Sequence, residues 1–327
     1  MAHELYQIDN QYSMAYVDKT PWHGLGQKLD PNAPLEIWMQ EAKLNWDIKE
    51  GTGYFNPTGN DDLEEIASIP GKKILMRSDN QKFLSIVGEN YKTVQPIEII
   101  EFFRDLIESG GFKMHTAGSI FNGLTIWALA EIGKEETIMG QDKIGGYLLL
   151  TTSCDGSSAT TGQFTSIRVV CNNTLQMSIS EGEQSRQYVK IPHSRKFHAN
   201  EMKEELGLAS NSFDIFVEKA NKLAKRKVAI SDAIQFFINL YTTEEEKKEG
   251  TFDKKISATV KKLINLYEQE TLKSSNGTAW GMVNAVTAYY DHYSNTKTVD
   301  RRLHNAWFGN GLNYKNLAFE SALKLAA

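Results

Sequence analysis

Residues 96–109 read PIEIIEFFRDLIES, and this stretch, together with the strand patterns on either side of it, decides the fold class. Pro96 stands at an early helical position and Gly110-Gly111 follows the last turn, which are typical start and stop signals of a helix. The apolar residues between these signals recur at helical spacing: Ile99, Phe102, Phe103, Leu106 and Ile107. The pattern predicts one amphipathic helix over residues 96–109.

Strand patterns flank this helix on both sides. Before it, residues 72–78 (KKILMRS) and 82–87 (KFLSIV) surround a polar turn and predict a hairpin. After it, residues 112–132 predict two strands that turn near Asn122-Gly123, which is a strong hairpin dipeptide. Residues 145–152 and 164–171 predict a further antiparallel pair, joined by a polar loop.

Helical patterns dominate the second half of the chain. Apolar residues recur there with the helical period in the segments 199–206, 212–227, 231–241, 252–272, 278–293 and 316–326. Near the N-terminus, residues 34–45 predict a short helix, and residues 1–34 predict irregular structure because proline and glycine punctuate them.

The order of these elements predicts an α+β fold, with antiparallel β-hairpins and a packed helix in the N-terminal half and a mostly helical C-terminal half. We expect residues 1–198 to form an α+β core domain. Residues 199–327 are expected to form a helical region, either separate or packed on the core as one unit.

The composition excludes several classes of protein. The 327 residues include 36 Lys+Arg and 41 Asp+Glu, for a formal net charge of -5. This sign argues against a simple basic coat protein, so a nucleic-acid role requires local basic patches. Two cysteines, Cys154 and Cys171, are too few for a disulfide scaffold. Without an apolar leader or a run long enough to span a bilayer, we expect a soluble, cytoplasmic protein that does not contact membranes.

The first of two basic windows is QSRQYVKIPHSRKFHAN, residues 184–200, which contains no acidic residue. Cations and stacking-capable rings alternate along it: Arg186, Tyr188, Lys190, Arg195, Lys196 and Phe197. Cations that contact phosphates next to aromatics that stack on bases are typical of proteins that bind single-stranded nucleic acid. The alternative interpretation is an ordinary solvated surface.

The second basic window is KANKLAKRK, residues 219–227. Helical spacing places Lys219, Lys222 and Arg226 on one stripe, away from the apolar face of the predicted helix. Such a stripe can follow a phosphate backbone, although a lysine-rich outer face is also common on helices that bind nothing.

Arg168 is unusual because it lies within an apolar strand and two amides, Asn172-Asn173, follow shortly after. A guanidinium in this position can hold a phosphate or a carboxylate with two hydrogen bonds. The alternative is a structural arginine that pairs with a core carboxylate, followed by an asparagine helix cap.

Catalytic patterns are weak throughout the chain. The segment 22–26 (WHGLG) holds a histidine without an identifiable partner, and the loop after Cys154 supplies no base for a thiol nucleophile. The cluster that could bind a divalent metal, as a nuclease requires, lacks the usual ligand spacing: Asp291, His292, Asp300 and His304. No P-loop or dinucleotide-binding motif is present. We therefore assign no catalytic residue, metal or cofactor.

Three segments together resemble a known family. They are residues 22–26 (WHGLG), residues 166–175 (SIRVVCNNTL), and residues 277–281 (GTAWG) followed by Asn284-Ala285 and Asp291-His292. The chain is similar in these segments to the phage/plasmid-like proteins of the domain-of-unknown-function family numbered 932. The resemblance implies an origin in a mobile genetic element, but it brings no established activity and no assigned catalytic residues.

These observations lead to one leading hypothesis and two alternatives. The first is a single-stranded-DNA-binding accessory protein, active in strand annealing, without enzymatic turnover and assembled as a homo-oligomer. The second is a module that binds a host protein and inhibits a defence or restriction system, which the acidic net charge favours. The third is a metal-dependent nuclease that uses the aspartates and histidines of residues 291–304.

Overall fold

The computed structural model describes residues 7–8, 11–17, 25–57, 66–168, 173–176, 188–206, 212–242 and 254–327. Both strands and helices are well represented in these residues, so the predicted α+β class is confirmed. Residues 22–24 of the WHGLG segment lie outside the described residues.

The short N-terminal elements begin with β1 (Gln7–Ile8) and β2 (Gln11–Tyr12), which pair with each other. Strand β3 (Met14–Tyr16) pairs in parallel with β4 (Gln27–Lys28) and antiparallel with a later strand. The prediction of irregular structure over residues 1–34 was therefore wrong for these residues, because strands of two or three residues are too short to show an alternating pattern. Helix α1 (Leu35–Glu41) follows and confirms the predicted helix.

A three-stranded antiparallel sheet comes next: β5 (Ile48–Phe55), β6 (Ala67–Arg77) and β7 (Phe83–Gly88). The β6–β7 pair confirms the hairpin predicted from residues 72–78 and 82–87. Strand β5 was not predicted, since glycine and charged residues break its apolar alternation.

The helix predicted over residues 96–109 is divided into α2 (Pro96–Glu101) and α3 (Arg104–Gly110). Gln95 and Glu98 form a capping box at the start, and Gly111, with φ +71°, ends the second helix in the left-handed conformation. Between the helices, the Phe102 and Phe103 rings are both buried and meet edge to face at 5.1 Å. Adjacent residues on a regular helix point about 100° apart. The turn that separates the two helices accompanies the burial of both rings.

The larger sheet contains eight strands, in the order β12-β11-β10-β9-β8-β3-β4, with β13 also paired to β11. Its further strands are β8 (Lys113–Ile120), β9 (Thr125–Ile138), β10 (Asp142–Ser153), β11 (Thr160–Arg168), β12 (Asn173–Gln176) and β13 (Val189–Ile191). The β8–β9 hairpin turns at Asn122-Gly123 as predicted, and both residues have positive φ, 61° and 100°. Strands β10 and β11 are neighbours in this sheet, as predicted. β10 is longer than predicted, and β11 spans residues 160–168, whereas 164–171 were predicted.

Helices follow, largely where the periodicity placed them. They are α4 (Ala199–Leu206), α5 (Ser212–Lys225), α6 (Ile230–Tyr241), α7 (Lys254–Glu268), α8 (Ala279–Ala288), a π-helical turn (Tyr289–Tyr293), α9 (Val299–Trp307) and α10 (Asn310–Ala326). Helix α9 was not predicted, because its residues are mostly polar.

Two compact units make up the chain. The first contains Met1–Ile132, Leu148–Gln163 and Tyr188–Ala209. The second contains Gly133–Tyr147, Phe164–Gln187 and Ser210–Ala327. The second unit thus takes residues from both sides of position 198, where the sequence pattern changes from strands to helices.

Candidate nucleic-acid interface

Helix α5 carries the second basic window and is fixed by its apolar face. Phe213, Phe216, Ala220, Leu223 and Ala224 are buried, as the helical spacing predicts. The Phe216 ring stacks on Phe319 at 5.5 Å and meets Trp280 edge to face at 6.2 Å. These contacts within the second unit set which face of α5 points to solvent.

The cations at the end of α5 lie on this outer side. We call the set Lys219, Lys222, Lys225, Arg226 and Lys227 the α5 basic end. Lys219 is half-buried and the other four are exposed. Within the described residues, none of the five forms an ion pair. Lys222 and Lys225 stand in the last helical turn, where a positive charge also interacts favourably with the helix dipole.

Backbone hydrogen bonds fix the α5 basic end to the start of α8. The Val228 amide donates to the carbonyl of Gly277 at 3.0 Å, and the Ala279 amide donates to the carbonyl of Arg226 at 2.9 Å. An isolated β-bridge between Lys227 and Thr278 lies between these two bonds. The backbone that carries these cations is therefore held in place by hydrogen bonds to the start of α8.

The GTAWG segment, residues 277–281, supports this anchor. The hydroxyl of Thr278 accepts a hydrogen bond from the Gly281 amide at 3.1 Å and caps α8. The Trp280 indole donates to Asp142 Oδ2 at 3.0 Å, and Ser274 Oγ donates to the same oxygen at 3.1 Å. Asp142 is fully buried. The role of Asp142 was not predicted from the sequence, because its partners lie more than 130 residues away.

The first basic window lies in the first unit. Lys190 is exposed on β13, and its ammonium lies 4.5 Å from the centre of the Tyr188 ring, which is 39% exposed. Arg195 is paired with Glu201 at 3.0 Å in an exposed salt bridge. Lys196 is exposed, whereas Arg186 lies outside the described residues.

Phe197 does not join this surface. Its ring is only 5% exposed, because it packs in the interior of the first unit. A buried ring offers no open face to a base, so we leave Phe197 out of the candidate interface.

Lys92 is a further cation beside the first basic window that the sequence did not predict. The Lys92 amide donates to the carbonyl of His193 at 2.6 Å, and His193 Nδ1 lies 2.8 Å from the Lys92 carbonyl oxygen. The His193 ring stacks on Tyr91 at 4.4 Å. Burial lowers the pKa of His193, so the imidazole is neutral at pH 7. The exposed Lys92 side chain therefore stands beside the 188–197 segment, although it is about 100 residues away in sequence.

A comparison with protein-family models gives a match to a domain of unknown function, DUF932, over residues 83–307. The chain belongs to the DUF932 family. The matched region includes the segments 166–175 and 277–281 that carried the resemblance, and it begins after residues 22–26. No curated protein and no solved structure matches the chain.

Arg168 stands at the end of β11 in this DUF932 chain. Its backbone is opposite Asn173 in the β11–β12 pair. The side chain of Arg168 lies outside the described residues, so its predicted role as an anion ligand remains a prediction.

Cys154 and Asp291, two side chains weighed above as candidates for chemistry, are both buried. Cys154 is buried, and burial raises the pKa of its thiol to about 12, so the nucleophilic thiolate is absent at neutral pH. Asp291 is also buried and is held by Lys315, whose Nζ lies 2.7 Å from Asp291 Oδ1. Among the described residues, no group of three or more histidine, cysteine, aspartate or glutamate side chains is placed to hold a metal ion.

A helix that crosses a bilayer needs about 20 predominantly apolar residues. Of the helices within the described ranges, none combines the length and the apolar character that such a crossing requires.

Proposed function

We propose that this chain is a single-stranded-DNA-binding accessory protein of a phage or plasmid, without enzymatic turnover, and that the α5 basic end contacts the phosphates. The observation that carries the proposal is the group of four exposed cations within residues 222–227 that form no ion pair within the described residues. In a chain with a net charge of -5, such a group is a local exception to the average. A polyanion that binds there does not have to displace any carboxylate of the described residues.

The first unit carries a separate patch that we also propose to contact DNA. Lys92, Lys190 and Lys196 are exposed there beside the half-exposed Tyr188 ring. A ring next to lysines suits single strands better than duplexes, because only unpaired bases can stack on it. Each patch is small, and a homo-oligomer would add their affinities by presenting several patches to one strand. This assembly would also suit a role in strand annealing.

Neutralising the α5 basic end is expected to weaken DNA binding. The variant Lys222→Gln, Lys225→Gln, Arg226→Gln removes three cations and should lower the affinity for a fluorescent 30-base oligonucleotide by about tenfold or more, since the counterions released by three phosphate contacts are lost. Fluorescence anisotropy at about 50 mM salt measures this, because electrostatic binding is strong at low salt.

The matched control carries the same change in net charge. Lys28, Lys113 and Lys324 are exposed lysines elsewhere in the chain, and their replacement by glutamine should leave the affinity near that of the wild type. Circular dichroism of both triple variants checks that α5 stays folded, because cations at a helix C-terminus contribute about 0.3–1 kcal/mol each. Equal weakening by both variants, or no binding by the wild type, would contradict the proposal.

A further inference from the structure

The three-stranded sheet presents an apolar face to solvent. On this face Met76 of β6 is opposite Phe83 of β7, and Ile74 is opposite Ile86. Phe83 is 59% exposed and Ile86 is 47% exposed. We call these four residues the sheet platform. Phe83 begins β7 next to the hairpin turn, and most of its side chain is open to solvent and not packed in a core.

The other face of the same sheet is buried and holds the platform in place. Leu75, Ser85 and Val87 lie on it, and Arg77 is almost completely buried. The Arg77 guanidinium lies 4.0 Å from the centre of the Trp46 ring and binds both carboxylate oxygens of Asp79, at 2.9 and 2.7 Å. The orientation of the sheet is therefore fixed by its packed side, and the open side is a pre-formed surface.

Lysines surround the sheet platform. Lys49 of β5 is opposite Met76, Lys72 of β6 is opposite Gly88, and Lys82 directly precedes Phe83. All three side chains are exposed.

Acidic residues also lie near the platform. Asp47 is 3.2 Å from Lys49, and Asp79 is bound by Arg77. Glu50 of β5 is paired with Lys73 at 2.7 Å, and Glu89 stands next to Gly88. An apolar, aromatic centre with a positive rim fits a strand whose bases are apolar on their faces and whose backbone is anionic.

We propose that the sheet platform is a base-stacking site for single-stranded DNA, with Phe83 as the stacking ring and Lys72 and Lys82 beside the phosphates. This inference rests on the proposed function and adds a second, chemically different subsite to it. Bases of any sequence can occupy such a site, because every base has a flat face.

The test replaces only the ring. Phe83→Leu keeps an apolar side chain and is expected to weaken binding of a 30-base oligonucleotide by about tenfold, whereas Phe83→Tyr keeps the ring and should bind like the wild type. An abasic oligonucleotide of the same length should bind wild type and Phe83→Leu equally, because it has phosphates but no bases to stack. Light scattering gives the particle mass of each free protein.

The outcomes separate this site from the proposed function. If the wild type binds and the α5 triple variant is weakened, but Phe83→Leu binds like the wild type, the platform is refuted and the function stands. If the wild type binds no oligonucleotide at low salt, the function itself fails. A change in the particle mass of free Phe83→Leu would overturn the platform, since the face would then be an interface between copies of the chain.

Discussion

Replacing Asp291 with asparagine is expected to lower the free energy of unfolding by about 3–5 kcal/mol. Lys315 is 1% exposed, and its Nζ lies 2.7 Å from Asp291 Oδ1. Burial lowers the pKa of Lys315, and the charge of Asp291 acts in the opposite direction by favouring the ammonium form. The asparagine is nearly the same shape but cannot neutralise the lysine, so the variant contains a buried charge without a counter-charge.

Urea unfolding followed by circular dichroism measures this loss. The control is the double variant Asp291→Leu, Lys315→Met, which replaces the ion pair with apolar side chains and is expected to unfold close to the wild type. If Asp291→Asn lowers the free energy of unfolding by less than about 1 kcal/mol, water or another group stabilises the lysine. This result would contradict an ion pair from which water is excluded.

Gly281→Ala is expected to destabilise the chain by about 3 kcal/mol, although alanine normally favours a helix over glycine by about 1 kcal/mol. A Cβ atom added at Gly281 of α8 would overlap the carbonyl oxygen of Ser275 and lie 2.9 Å from its carbonyl carbon. It would also lie 3.1 Å from the Tyr267 ring. The backbone turn before α8 would have to move, and with it the Thr278 cap.

Thermal unfolding of Gly281→Ala and of a matched control checks this expectation. Gly51→Ala is suitable because an added Cβ there meets nothing within 4 Å. We expect the control to keep a melting temperature close to that of the wild type and Gly281→Ala to lose several degrees. A melting temperature of Gly281→Ala at or above that of the wild type would contradict the close approach of Ser275 to α8.

Local periodicity was sufficient to predict most helices and hairpins. The segments 199–206 and 231–241 match α4 and α6 closely, because their apolar faces are complete within the segment itself. The elements that were missed depend on distant residues. Strands β3 and β4 are defined by pairing with β8 and with each other, and no local pattern encodes that pairing.

For the candidate interface, the sequence predicted only the positions of the cations along the chain. Sequence showed where the cations stand in the chain, but not that Arg195 pairs with Glu201, that Phe197 is buried, or that Lys92 lies beside His193. These facts depend on contacts between separate segments.

The sheet platform was missed for a different reason. Simple alternation in KFLSIV places Phe83, Ser85 and Val87 on one face. An irregularity in the β6–β7 register sets Met76 opposite Phe83 and Leu75 opposite Ser85, so Phe83 shares its face with Ile86. A single extra residue in one strand therefore exposes the ring, and sequence alternation alone cannot show it.

The salt dependence of DNA binding tests the central claim, that the α5 basic end meets phosphates, most directly. If all five cations contact a single strand, the logarithm of the binding constant should fall with the logarithm of salt concentration with a slope of at least about 3.5 in magnitude. The variant Lys222→Gln, Lys225→Gln, Arg226→Gln should reduce this slope by about 2, and the Lys28, Lys113, Lys324 control should not change it. Identical slopes for all three proteins would contradict the claim, because the α5 cations would then contact no phosphate.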